Sequence, residues 1–252
     1  MIDWREKFIA TGIHFTVTLV FASIAAAVIF FVWFPAPLDT MVGGTRLFLL
    51  VVGCDLALGP LLSLIAYNSR KTRLALTVDY TVIGLCQLAA LIYGVYVASG
   101  TRPVYIAFNG DRYEIVSARD ISDKELALAK KPEYGDLSWT GPRLIAVNVP
   151  PEDQQDALFE SLGGNEEHQR PKFFVPLADK LDVIRAKSKP LKALADRFPA
   201  SRPLLDAAVA EVGIPEDELA WLPVRHLRGF WTAVIRRDDG KPVAWVDFDP
   251  YG

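Results

Sequence analysis

Cysteine is nearly absent from this 252-residue chain, occurring only as Cys54 and Cys86, both inside apolar sequence. The last 150 residues therefore form no disulfide of their own and carry no thiolate for a nucleophile or a zinc site. Histidine is just as scarce: His14, His168 and His226 are the full set, spaced too widely for a metal-ligand motif. No H-E-x-x-H, G-x-S-x-G or Walker glycine loop occurs. Charge is missing from one part of the chain. Residues 1–100 hold six Lys/Arg and five Asp/Glu, and the remainder holds twenty-one and twenty-five. That remainder is mildly acidic without a basic cluster, which excludes nucleic acid as a partner. The composition gives no sign of a cofactor.

Three long apolar runs occupy the charge-poor part, at about 9–34, 46–67 and 74–98. A bilayer core of about 30 Å needs roughly 20 apolar residues in a helix, and each run meets that length. The first is too long for the apolar region of a signal peptide and lacks a cleavage site, so it reads as a retained span. Lys/Arg residues gather before the first run (Arg5, Lys7) and between the second and third (Arg70, Lys71, Arg73), and none lies in "PAPLDTMVGG". By the positive-inside rule the N-terminus is cytoplasmic and residues 101–252 lie outside, in a bacterial periplasm. Trp33, Phe34, Tyr93 and Tyr96 fall near the outer boundary.

The second run contains "GCDLALGPLL", which places Asp55 and Pro60 in apolar surroundings. With about 1.5 Å rise per residue, Asp55 lies near the bilayer midplane and Gln87 of the third run lies at its depth. His14 and Asp79 are each about five residues in from the cytoplasmic edge and form a second expected pair. An intramembrane carboxylate costs at least about 2.5 kcal/mol, so it faces protein. Pro60, with Gly59, is expected to kink the helix just below Asp55. Three roles stay open for these polar groups: holding the three helices together, docking another transmembrane helix, or relaying protons.

Residues 101–252 read as an α+β domain with a mainly antiparallel sheet. "RPVYIAFNGDRYEIVSA" gives a hairpin about Asn109-Gly110, and the stretch after "FWTAVIRR" gives another about Asp239-Gly240, with Trp231, Val243 and Trp245 as core anchors. Ser122–Glu125 is a capping box that opens a helix. "PRLIAVNV" is a strand and "PPEDQQDALFESLGG" a helix, and further helices follow in "LADKLDVIRAKS", "PLKALADRF" and "SRPLLDAAVAEVG". "NEEHQRPK" reads as a polar loop.

The string G-x-D-L-x-L-G-P, here Gly53, Asp55, Leu56, Gly59 and Pro60, resembles that of the TfpX/TfpZ type IV pilin accessory proteins. The resemblance spans roughly residues 10–120, with His14, Asp79, Gln87, Arg102 and Pro103 in similar positions. It implies three spans before an extracytoplasmic domain, and an inner-membrane helper that acts on the major pilin before or during polymerisation. It implies no active site. The expected partner is therefore a type IV major pilin, with other pilus-assembly membrane proteins possible, and Asp55, Gln87, Gly59 and Pro60 are the expected binding residues. The rival is a membrane-anchored enzyme acting on an envelope substrate, for which no nucleophile and base pair is visible.

Overall fold

The computed structural model describes residues 4–67 and 71–252. The chain divides into two compact units, Met1–Arg102 and Pro103–Gly252.

In the first unit, α1 (Trp4–Val28) continues through one π-helical segment, Ile29–Trp33, and stops before Pro35 and Pro37. A short α2 (Leu38–Met41) leads into α3 (Gly44–Ala66) and then α4 (Arg73–Thr101). The Thr72 side chain caps α4 by accepting from the Ala75 amide at 3.2 Å. Helix α3 packs against both α1 and α4. By length and composition, Lys7–Trp33 and Arg73–Thr101 are long and apolar enough to cross a membrane, and the described apolar part of α3 is the shorter Leu56–Ala66. The side chains of Arg46, Cys54 and Asp55, and all of residues 68–70, lie outside the described part. Trp33 and Phe34 are buried with Ile29 and Ala98, whereas Tyr93 and Tyr96 are exposed.

The second unit is built on one sheet. A hairpin of β1 (Pro103–Asn109) and β2 (Arg112–Ser117) comes first, followed by α5 (Asp123–Ala127) and β3 (Arg143–Val147). Next are α6 (Gln154–Leu162), β4 (Phe174–Pro176), α7 (Leu181–Lys187), α8 (Leu191–Arg197) and α9 (Arg202–Val212). Strands β5 (Leu219–His226), β6 (Gly229–Arg236) and β7 (Pro242–Val246) close the unit.

The strand order is β4-β3-β1-β2-β5-β6-β7, and the sheet is mixed rather than mainly antiparallel. Strands β1 and β3 pair in parallel, as do β2 and β5, and the other neighbours are antiparallel. Parallel neighbours need long crossovers. The segment carrying α5 joins the first pair, and the run from β3 to α9 separates the second.

Both expected hairpins form. Asn109 pairs with Arg112, so Gly110 and Asp111 make the two-residue loop, and Gly110 takes a positive φ of 69° that a side chain resists. Gly240 likewise turns β6 into β7. The core has two parts. Tyr105, Phe173 and Phe174 anchor one, where Tyr105 and Tyr134 each meet the Phe174 ring edge-on at 4.9 and 5.8 Å; such pairs add about 0.5–1.5 kcal/mol beyond burial. Leu191, Leu205, Leu219 and Val234 anchor the other. Trp231, Val243 and Trp245 are only half-buried: Val243 packs against the edge of the second core, Trp231 stands against His226, and β6 buries both of its faces over Thr232–Ile235.

Candidate functional site

The polar residues of the first unit converge on one place. His14 of α1 contacts Gln87 Oε1 of α4 through Nε2 at 2.5 Å and the Ser63 hydroxyl of α3 through Nδ1. The imidazole thus bridges the Gln87 amide of α4 and the Ser63 hydroxyl of α3, with both ring nitrogens partnered. Tyr80 Oη donates to the Ser63 carbonyl at 3.4 Å, and its ring lies 6.1 Å from that of His14. Gly59 completes the arrangement: a Cβ there would collide with Gln87 Nε2, so the missing side chain lets the Gln87 amide lie against α3. Pro60 follows within α3 and has no N–H to return to the Leu56 carbonyl.

Of the residues singled out in the sequence, Gln87, Gly59 and His14 thus meet. The expected His14–Asp79 pair does not form: the Asp79 carboxylate takes the Lys71 ammonium at 2.5 Å. The cause is register. Helix α1 starts at Trp4, ahead of the apolar run, so Lys7 reaches the Leu64 carbonyl at 3.3 Å and His14 stands level with Ser63 and Gln87. The Asp55 side chain lies outside the described residues. Ser63 and Tyr80 carry no sequence motif, yet spacing marks both, since Ser63 is one turn beyond Gly59 and Tyr80 two turns before Gln87.

Beside this cluster, α1 and α4 enclose a cleft of about 230 Å³. His14, Val17, Thr18, Phe21 and Ala22 line it from α1, and Gly84, Gln87, Leu88 and Leu91 from α4. Both sets repeat at i, i+3, i+4 and i+7, so each is one helix face. A Cβ added at Gly84 meets nothing within 4 Å. The cleft is therefore an open apolar trough with small residues along it and two polar groups, His14 and Gln87, in its wall. Ser63 is fully buried and does not line it, and its contact with His14 ties α3 to α1.

The second unit holds a partly buried ionic network that the sequence suggests only as a polar loop. Arg225 of β5 donates to Glu114 of β2 at 2.6 Å and to Glu166 at 2.5 Å. Glu114 and His168 are 4% and 6% exposed. His168 Nδ1 stands 3.7 Å from Glu166 Oε2, too far for a hydrogen bond. Burial pushes Glu114 up to about 7, against the hydrogen bond and charge of Arg225 and the charge of Arg112. Burial also pushes His168 down to about 4, opposed by Glu166 and Glu167 and assisted by Arg225 and Arg112. Nearby, buried Arg170 bonds Asp156 at 3.1 Å, and Asn165 bonds Glu125 at 3.0 Å. Among the described residues, no group of three His, Cys, Asp or Glu is gathered to hold a metal ion.

Comparison with known proteins places these features in a family. The family model of the fimbrial assembly protein FimB matches residues 2–43, the segment that holds α1 and His14. A fimbrial assembly protein of serogroup I from Dichelobacter nodosus is 36% identical over 245 residues, covering 96% of this chain and 95% of the relative. One of serogroup E1 from the same organism is 32% identical over the same shares. A third, of serogroups C1 and C2, is 40% identical over 119 residues, which is 47% of this chain and 91% of that relative. No solved structure gives a significant match. With relatives alike along almost their whole length, the chain belongs to the FimB family of fimbrial assembly proteins.

Proposed function

We propose that this chain is an inner-membrane assembly factor for type IV pili that binds the pilin subunit as a chaperone before polymerisation. The names of its relatives support a part in pilus assembly, and the TfpX/TfpZ likeness of residues 10–120 points the same way. In this reading α1, α3 and α4 are three spans, the N-terminus is cytoplasmic and Pro103–Gly252 is periplasmic. Charge placement supports that direction: Lys7 and Lys71 both donate to the last carbonyls of α3, at 3.3 and 3.1 Å, so cations collect at a single end of the helices.

The observation that carries the reading is the α1–α4 cleft with His14 and Gln87 in its wall. Lipid tails are as apolar as leucine, so helices associate in a bilayer through close packing at small residues and through hydrogen bonds. The cleft offers both to a transmembrane helix such as that of a waiting pilin subunit. The protein is assigned no catalysis; binding is its work. Other pilus-assembly membrane proteins are secondary partners.

Purification of the tagged chain in mild detergent from cells expressing the type IV major pilin tests this directly. Pilin is expected in the eluate with the parent protein and reduced by about tenfold with Gln87→Leu, which keeps the size of the side chain and removes its hydrogen bonds. An eluate free of pilin contradicts the proposal.

A further inference from the structure

The periplasmic-type unit carries a second cavity, unrelated to the polar cluster of the helices. It measures about 360 Å³ and is bordered by Asp111, Lys187, Lys189, Arg197, Trp221 and Tyr251, among others. That volume falls within the range of sites that take small organic groups.

The fold assembles these residues from distant parts of the chain. Lys187 and Arg197 occupy the last turns of α7 and α8, where cations complement the negative helix ends. Between them the backbone of Lys189 pairs with that of Trp221, through bonds of 3.1 and 2.8 Å, and fixes the loop to β5. Lys189 Nζ then stands 5.7 Å from the centre of the Trp221 ring. Arg197 lies over Phe198 at 4.9 Å. Tyr251 is held edge-on by Phe230 at 4.9 Å.

The electrostatic balance of this cavity is unmatched. Among the described residues, Lys187, Lys189 and Arg197 have no carboxylate within ion-pair distance, and all three are exposed at the cavity's rim, hydrated and open to a ligand. Asp111, the one acidic group on the wall, is taken by Arg112 at 3.0 Å. Trp221, a residue only 7% exposed, serves as wall: among the described residues its indole N–H has no acceptor, and the nitrogen is itself covered, so it reports on the cavity without donating into it. Lysine and arginine side chains donate hydrogen bonds and accept none. The cavity thus lacks an acceptor-rich negative group.

We infer that this cavity binds a carboxylate carried on a polypeptide, an acidic side chain or chain end of a partner protein. The flat walls of Trp221, Pro223, Pro250 and Tyr251 suit the apolar stretch of peptide beside the charge, and a bare inorganic anion would leave them uncovered. The inference stands apart from the cleft between α1 and α4, since neither its residues nor its ligand chemistry is shared.

The test is titration of the full-length protein in detergent micelles, following the Trp221 indole N–H by NMR. That resonance is one of six and is assigned by its loss in Trp221→Phe. The probes are the blocked peptide acetyl-Gly-Glu-Asp-Glu-Gly-amide, its uncharged counterpart with Gln and Asn, and inorganic phosphate. The acidic peptide is expected to shift the Trp221 signal saturably while the uncharged one leaves it in place. The double variant Lys189→Gln/Arg197→Gln, whose other indole signals report an intact fold, is expected to bind at least about tenfold more weakly. Absence of a shift, or equal affinity in the double variant, overturns the inference. A response to phosphate as strong as to the peptide also overturns it, by making the cavity a site for small anions.

Discussion

The stability differences between the parent protein and two of its variants, Glu114→Gln and His168→Gln, should run in opposite directions with pH. Glu114 is buried, and its folded value lies near 7, above the ordinary 4.5. A raised carboxyl stabilises the fold fully below the unfolded value and loses that contribution as pH rises through the folded one. His168 is depressed from 6.5 to about 4. Its contribution is full above 6.5 and is lost as pH falls towards 4. Each shift corresponds to about 3 kcal/mol. Relative to the parent, Glu114→Gln should therefore gain by about that amount between pH 4.5 and 7, and His168→Gln should lose by about that amount between pH 4 and 6.5. Denaturant unfolding of the full chain in detergent, followed by near-ultraviolet dichroism, measures both. Parallel profiles would show that burial does not govern these two groups.

The second large effect concerns the helices. Gly84→Phe should reduce surface pili by at least about tenfold while leaving the amount of the protein unchanged. A side chain at Gly84 points into open space, so the phenyl ring meets none of the protein's own atoms at the point where it leaves the backbone. Were the cleft unused, the substitution would be close to neutral, because an apolar ring facing lipid costs nothing. Gly59 serves as the contrast: its Cβ would strike the Gln87 amide, so Gly59→Ala disturbs the protein itself. Electron microscopy of pili, with immunoblotting of the membrane fraction, separates the two outcomes. Normal piliation with Gly84→Phe would contradict use of the cleft.

Much of the fold is legible because its signals are local. Gly110 and Gly240 mark turns that demand a positive φ, Ser122 accepts from the Glu125 amide at 3.3 Å as one half of the expected capping box while the Glu125 carboxylate accepts from Asn165 instead of closing it, and Gly213 ends α9 with a φ of 70°. What sequence alone misses is long-range. Strand β4 is three residues long and shows no alternation, so only its pairing with β3 defines it. The parallel pairing of Glu114 with Arg225 joins residues 111 positions apart, and Arg225 in turn holds the half-exposed Glu166, beside which His168 is buried although its loop reads as solvated. In the helical unit, residue type identifies Gln87, Gly59 and His14 as unusual, but depth counted from the edges of apolar runs misplaces α1. Polar and aromatic residues such as Trp4 and Lys7 belong to the helix although hydropathy excludes them, and that offset sends His14 to Gln87 and Ser63 and leaves Asp79 to Lys71.

The central claim is that a transmembrane helix of pilin occupies the trough between α1 and α4. Photocrosslinking in living cells tests it most directly, with a photoreactive residue placed singly at positions 84, 88 and 91, on the cleft face of α4, and at 82 and 85, on its exposed apolar flank. The account predicts crosslinks to the apolar helix of the major pilin from the first three positions and none from the other two. Crosslinks of equal strength from both faces, or none to pilin from any, would contradict it.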